Sequence, residues 1–266
     1  ADKGPMTNDK GQMTPMHTFF GIVRYEYRMS VLRWGLWIGS LLAAALYFLS
    51  FDLSGGGEPI DVWEAGGGAA LLVNFLLPVV AGIMTADRLP RDSLLGVWEL
   101  LRATPASRTT HLFGKYVGAL LATLTPPLFF LAVGTGLAIF LGAPVAIAGT
   151  TLLAFLAIIV PAHVFVDAFS LACPALIPVR IYQVLLTGYW FWGNFLNPAV
   201  VPNTSDTPLT PVGKYALSGF FRGTFGGQRD AYTPAEATLS VALLCVTALL
   251  PLLALDRYMA WQARRA

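Results

Sequence analysis

Residues 87–115 read DRLPRDSLLGVWELLRATPASRTTHLFGK. On both sides of this charged interval lie apolar blocks of about twenty residues, the length a helix needs to cross a hydrocarbon core of about 30 Å. Within the interval, Leu94, Leu95, Val97, Trp98, Leu100 and Leu101 form a short apolar face. Arg88, Arg91, Asp92, Glu99, Arg102 and Arg108 surround it. An amphipathic element this short cannot span a bilayer. Held between two spans, it is suited to docking a soluble partner.

The composition agrees with a membrane setting. Of the 266 residues 56% are hydrophobic and only 12% charged, against about 25% charged in a soluble domain. The expected fold is an all-α membrane protein with six transmembrane helices. They fall at about 34–51, 68–86, 112–140, 145–171, 179–196 and 235–255. Residues 1–16 are expected to be a flexible leader or an extraneous remnant, and 17–266 a single membrane domain. From His17 to Arg33, Phe19, Phe20, Val23, Tyr27 and Val31 alternate with Arg24, Glu26 and Arg28. That pattern predicts an amphipathic helix lying in the membrane interface, its arginines reaching water. Pro126-Pro127 is expected to kink the third span or leave it locally unwound.

Charge sets the orientation. Fourteen Lys and Arg fall on the side that holds both ends and the 87–115 interval, and three (Lys214, Arg222, Arg229) on the other. The positive-inside rule then places both termini in the cytoplasm of a cell whose inner or plasma membrane the chain crosses. The mixed segment 197–233 is expected to fold against the outer membrane surface or dip into it. Its cations could attract an anionic substrate or lipid headgroups, or form an ordinary solvated surface.

Few residues carry recognisable chemistry. No GxxxxGK[ST] is present, so ATP binding by a P-loop of this chain is excluded, and HExxH and GxSxG are absent too. Cys173 and Cys245 have no metal-site spacing and read as small core residues. A net charge of +2 gives no sign of nucleic acid. His163 and Asp167, four apart in the fourth span, share one helix face. They are either a proton relay or substrate contact, or a mutually satisfied pair near the inner helix end.

Gly96-x-x-Glu99-Leu100-Leu101, Pro105-x-Ser107-Arg108 and Gly114-Lys115 closely resemble the first cytoplasmic loop of ABC-2 type transporter permeases. The six-span layout, the amphipathic helix before the first span and the outer segment before the sixth resemble that family as well. Val97-Trp98 departs from it, since members often carry a smaller polar residue and a leucine there. The resemblance implies a permease subunit of an ATP-driven exporter, paired with an identical or related second chain. Cytoplasmic ABC ATPase subunits would bind the ATP and Mg, and this chain no cofactor directly. It implies a coupling helix at 93–101, with Leu95, Val97, Trp98 and Leu101 as apolar contacts and Glu99 and Arg102 as polar ones. It also gives Gly35, Gly39, Gly188 and Gly193, on the first and fifth spans, a close-packing role at the dimer interface. Two other readings are a proton-coupled secondary transporter using His163 and Asp167, and a membrane scaffold that transports nothing. The substrate is open.

Overall fold

Regular structure among the described residues is helical throughout, as a bilayer interior demands of a chain that cannot hydrogen-bond its backbone to water. The computed structural model describes residues 15–50, 61–96, 107–196, 200–225 and 232–264. The leader up to residue 14 and most of the expected coupling helix lie outside these residues.

The first helix, α1 (Pro15–Val31), forms where the alternating pattern predicts it. Its polar face does not wholly reach water. Arg24 and Arg28 are exposed, but Glu26 is buried, because α1 lies along α6 (Arg108–Phe140). Small residues on α6 permit that approach. A Cβ on Gly118 would stand 2.7 Å from the Val23 carbonyl oxygen, and one on Gly114 2.9 Å from Ile22.

The first apolar block is α2 (Trp34–Ser50). The second starts earlier than expected and is broken: α3 (Val62–Asn74), α4 (Leu77–Thr85) and α5 (Arg88–Leu94) follow one another. Pro78 explains the break, because its ring would meet the carbonyl of Asn74 if the helix ran on. The broken backbone is satisfied from elsewhere, the Phe75 carbonyl accepting from Trp190 Nε1 at 2.8 Å.

The third block departs from one of its two expected forms, the unwound one. α6 continues as α-helix through Pro126 and Pro127 with no unwound turn. Ser107 caps its start, accepting from Thr110 N at 3.0 Å. The irregular turn lies in the fourth block instead. There α7 (Ala146–Ala154) passes through a π-helical turn, Phe155–Ile159, into α8 (Val160–Ala172). The π turn comes just before Pro161 and absorbs the hydrogen bond that proline cannot make. α9 (Val179–Phe195), α10 (Lys214–Phe221) and α11 (Pro234–Ala263) complete the order. A Thr233–Glu236 capping box starts α11.

Among the described residues four helical stretches are long and apolar enough to cross a membrane: Val62–Asp92, Arg108–Phe140, Ala146–Ala175 and Pro234–Ala263. With the family evidence below, they make this a multi-pass membrane protein. α2 and α9 have 17 residues each, about 26 Å at 1.5 Å per residue, near the lower limit for a span.

α8 is the central element. Phe165 and Val166 pack with Val79 of α4, Leu186 and Trp190 of α9 and Leu244 of α11. Its next turn, Ala168 and Leu171, meets Leu89 of α5, Leu112 of α6 and Leu252 of α11. At the other end of the bundle α10 folds inward. Leu217 and Phe221 join Val73 of α3 and Ile158 of the π turn in a third cluster. Gly213, at φ 94°, leads into α10, and a Cβ there would lie 2.5 Å from Ile158. Only glycine combines that backbone angle with that contact.

Candidate functional site

The charged interval leads into a buried ionic layer that joins three helices. Glu26 of α1 sits between Arg88 of α5 and Lys115 of α6, with Oε1 3.1 Å from Arg88 Nη1 and Oε2 3.0 Å from Lys115 Nζ. All three side chains are almost wholly out of solvent. Lys115 Nζ also lies 2.9 Å from Asp92 of α5, and His111 is 4.0 Å from the same oxygen. At the edge of the layer Arg33 Nη1 donates to both oxygens of Asp87, at 3.0 and 3.2 Å. Buried charges cost several kcal/mol each unless paired. This layer therefore holds only while α1, α5 and α6 keep their mutual positions.

Beyond Asp92 the surface becomes apolar and bare. Leu94 is 87% exposed and Leu95 65%. Among the expected docking residues Leu95 is described. Val97, Trp98, Glu99, Leu101 and Arg102 lie outside the described residues.

His163 and Asp167 are both fully buried in α8 but do not hydrogen-bond each other. His163 Nδ1 pairs with the Ile159 carbonyl at 3.0 Å, and its Nε2 has no partner. Asp167 is held from two other helices, by Thr85 Oγ1 of α4 at 3.2 Å and Thr123 Oγ1 of α6 at 2.6 Å.

The glycines also have definite places. A Cβ on Gly35 would meet Met84 Sδ at 3.2 Å, and one on Gly39 would meet Val80 at 2.7 Å, so both serve the packing of α2 on α4 within this chain. Gly193 faces Tyr189 of its own helix and Thr204, while Gly188 faces open space.

The outer segment is anchored rather than loose. Asn74, at the α3–α4 break, donates to the carbonyls of Pro211 at 3.1 Å and Val212 at 2.9 Å. Thr210 donates to Asn194 at 2.8 Å, and Ser240 to the Pro208 carbonyl at 2.7 Å. Lys214 is buried and paired with Asp206, so it is not a solvated cation, whereas Arg222 is exposed. Tyr215 stacks on Tyr232 with ring centroids 3.9 Å apart. Burial first, and then Tyr232, push its phenol up to about 12, so it stays neutral at physiological pH.

A family model described as ABC-2 family transporter protein matches residues 21–179, well over half of the chain. The chain belongs to the ABC-2 transporter family. The matched part of this ABC-2 protein runs from within α1 to the start of α9. It thus contains the whole ionic layer and the Asp167 site, and leaves out the anchored outer segment. No curated protein matches the chain.

Sequence reasoning missed the ionic layer of this ABC-2 chain, although it left two signals. Lys115 lies a turn inside an apolar block, where an ionisable group needs a partner. Arg88 with Asp92, and His111 with Lys115, are each four apart and so share a helix face. Glu26 gave no such signal, since it fits the polar side of an interfacial helix.

Proposed function

We propose that this chain is the permease subunit of an ATP-driven ABC exporter. α2 and α9 complete a set of six spans, with both termini and the 87–115 interval in the cytoplasm. A coupling helix at 93–101 docks in a cleft of a separate ATPase subunit, which binds ATP and Mg. Trp98 and Leu101 are its apolar anchors, and Glu99 and Arg102 its polar contacts. Two such chains, identical or related, form the transport unit.

The ionic layer is the observation that carries this reading. The coupling segment is flanked by α5 on one side and α6 on the other. Asp92 and Arg88 on α5 and Lys115 on α6 are bound to one another directly or through Glu26 of α1. A push on the coupling segment therefore cannot move one of these helices alone without separating buried charges. The three shift as a rigid block, the kind of motion by which a small displacement at a docking site is transmitted through a bundle. The exposed Leu94 and Leu95 lead the apolar face toward the partner.

Gly188 is the interfacial glycine best placed to meet a second chain, because an added Cβ there meets nothing within its own subunit. Gly35 and Gly39 would act at that interface indirectly, by setting how closely α2 lies on α4.

Purification from native membranes in mild detergent tests the reading. The expected result is a stoichiometric P-loop ATPase that is lost when Trp98 and Glu99 are both changed to alanine. A chain that purifies without any nucleotide-binding protein contradicts it.

A further inference from the structure

We propose that Asp167 binds a proton inside the bundle and exchanges it, through a cavity the size of one water, with the charged layer beside α5. Nothing in this requires an ATPase partner.

Thr123 Oγ1 lies 2.6 Å from Asp167 Oδ2 and 2.9 Å from the Leu120 carbonyl oxygen. A hydroxyl has one hydrogen to donate. If Asp167 were a carboxylate, Thr123 could serve only one of these two acceptors. With a proton on Oδ2 both contacts are made, the carboxyl donating to Thr123 and Thr123 donating to Leu120. Thr85 donates to Oδ1 in either state. None of the ion pairs among the described residues includes Asp167. An unpaired carboxylate buried at this depth is costly, and a neutral acid avoids the cost.

The route follows from what lies behind the two threonines. Thr85 and Thr123 line a cavity with Ser30, Arg33, Arg88 and Ala119. Its volume of ≈ 10 Å³ is about the least that holds one water. Its wall is mixed: Leu36, Met84 and Ala119 are apolar, while Ser30 Oγ, Arg33 Nη2 and Arg88 Nη1 (the last ion-paired to Glu26) are buried polar atoms without a hydrogen-bond partner. A water there accepts from the guanidinium groups and donates to the free lone pairs of the threonines. Arg33 in turn holds Asp87, whose side chain is 41% exposed. A guanidinium cannot itself relay a proton, so the chain runs from Asp167 through Thr123 to the water, which carries the proton out beside the Arg33–Asp87 pair.

When the proton leaves, Oδ2 gives it to Thr123 Oγ1, which passes its own hydrogen to the cavity water and on to solvent. The carboxylate then takes the Thr123 hydrogen bond, and the Leu120 carbonyl gives up the Thr123 hydroxyl but keeps its helical backbone partner. Release thus costs a bond within α6, while the bonds from Thr85 of α4 and Thr123 of α6 to Asp167 of α8 stay and become charge-assisted.

The other titratable groups around the site are engaged or neutral. Tyr116 of α6 donates to the Val164 carbonyl at 2.8 Å, with Cys245 of α11 near it. Tyr182 of α9 shares a hydrogen bond with Ser170 at 2.8 Å. His163 is turned to Ile159. Arg33 and Arg88, with Glu26 behind, are the charges nearest the cavity.

Infrared difference spectroscopy of the chain in lipid vesicles, across steps of pH and on transfer to D2O, tests this. The wild type is expected to show a protonated carboxyl band that is lost in Asp167→Asn and moves to lower frequency in D2O. Ala119→Leu, which fills the cavity, should slow that deuterium shift while keeping the band. Thr123→Val, close to isosteric, should also slow it and change the band position, and it serves if the first variant fails to fold. A wild-type spectrum with no band lost in Asp167→Asn overturns the proposal. So does deuterium exchange at the wild-type rate in both cavity variants.

Discussion

Glu26 has more at stake than any other single side chain in the charged layer. Both of its oxygens face cations, and neither cation can turn to water. Changing it to glutamine removes the one carboxylate that is ion-paired to Arg88 among the described residues. Removing one partner of a buried pair costs about 3–5 kcal/mol, because the charge left behind is uncompensated. Glu26→Gln should therefore unfold at a clearly lower temperature in detergent than the wild type. Glu26→Leu combined with Arg88→Leu should recover most of that loss, since Lys115 keeps Asp92. If the single variant melts with the wild type, the layer is not the clamp described above. The sequence hid this residue for a physical reason. A polar position on an amphipathic helix reads as solvent-facing unless a second helix is known to cover it. Here the covering helix lies about ninety residues further on.

At the scale of elements, the helices themselves were largely legible and their irregularities were not. Runs of apolar residues bounded by charge located the long helices, although α3 begins at Val62 rather than 68 and α11 runs on to Ala263 rather than 255. The proline pair of α6 leaves the helix wound, because a proline removes one hydrogen bond and strains one turn, and it need not unwind a helix packed along its length. The actual interruptions, at Phe75 and at Phe155–Ile159, face the inward-folding outer segment, whose carbonyls accept from Asn74 and whose Gly213 packs on Ile158, while Trp190 of α9 satisfies the Phe75 carbonyl. Such completion joins residues about 137 apart in sequence and leaves no local pattern. It does make a prediction. Asn74→Leu removes both donors to the Pro211 and Val212 carbonyls and leaves those carbonyls buried, at a cost of about 1–3 kcal/mol each. Limited proteolysis should then cut the 200–225 segment faster than in the wild type. Equal cutting rates would mean that the segment is held by its apolar contacts alone.

For the whole molecule, family membership and a buried ionic layer point the same way. A charged interval that would be free to move in a passive scaffold is here bound on both flanks to the helices of the bundle. That arrangement suits a protein that must pass mechanical work from a soluble motor to its spans. The alternative of a proton-driven transporter keeps one attraction, the buried Asp167. Yet a protonatable group that joins three helices fits equally well in a bundle driven from outside. What the sequence offered of this was the short apolar stripe that we propose as the docking face. It could not show the linkage behind that face, because ion pairs between distant helices leave no periodicity. The most direct measurement places a photo-crosslinking amino acid at position 98 and irradiates native membranes. The account predicts an adduct with a P-loop ATPase, and none when the same group replaces exposed Arg222. An adduct at position 98 that contains no nucleotide-binding protein would contradict it.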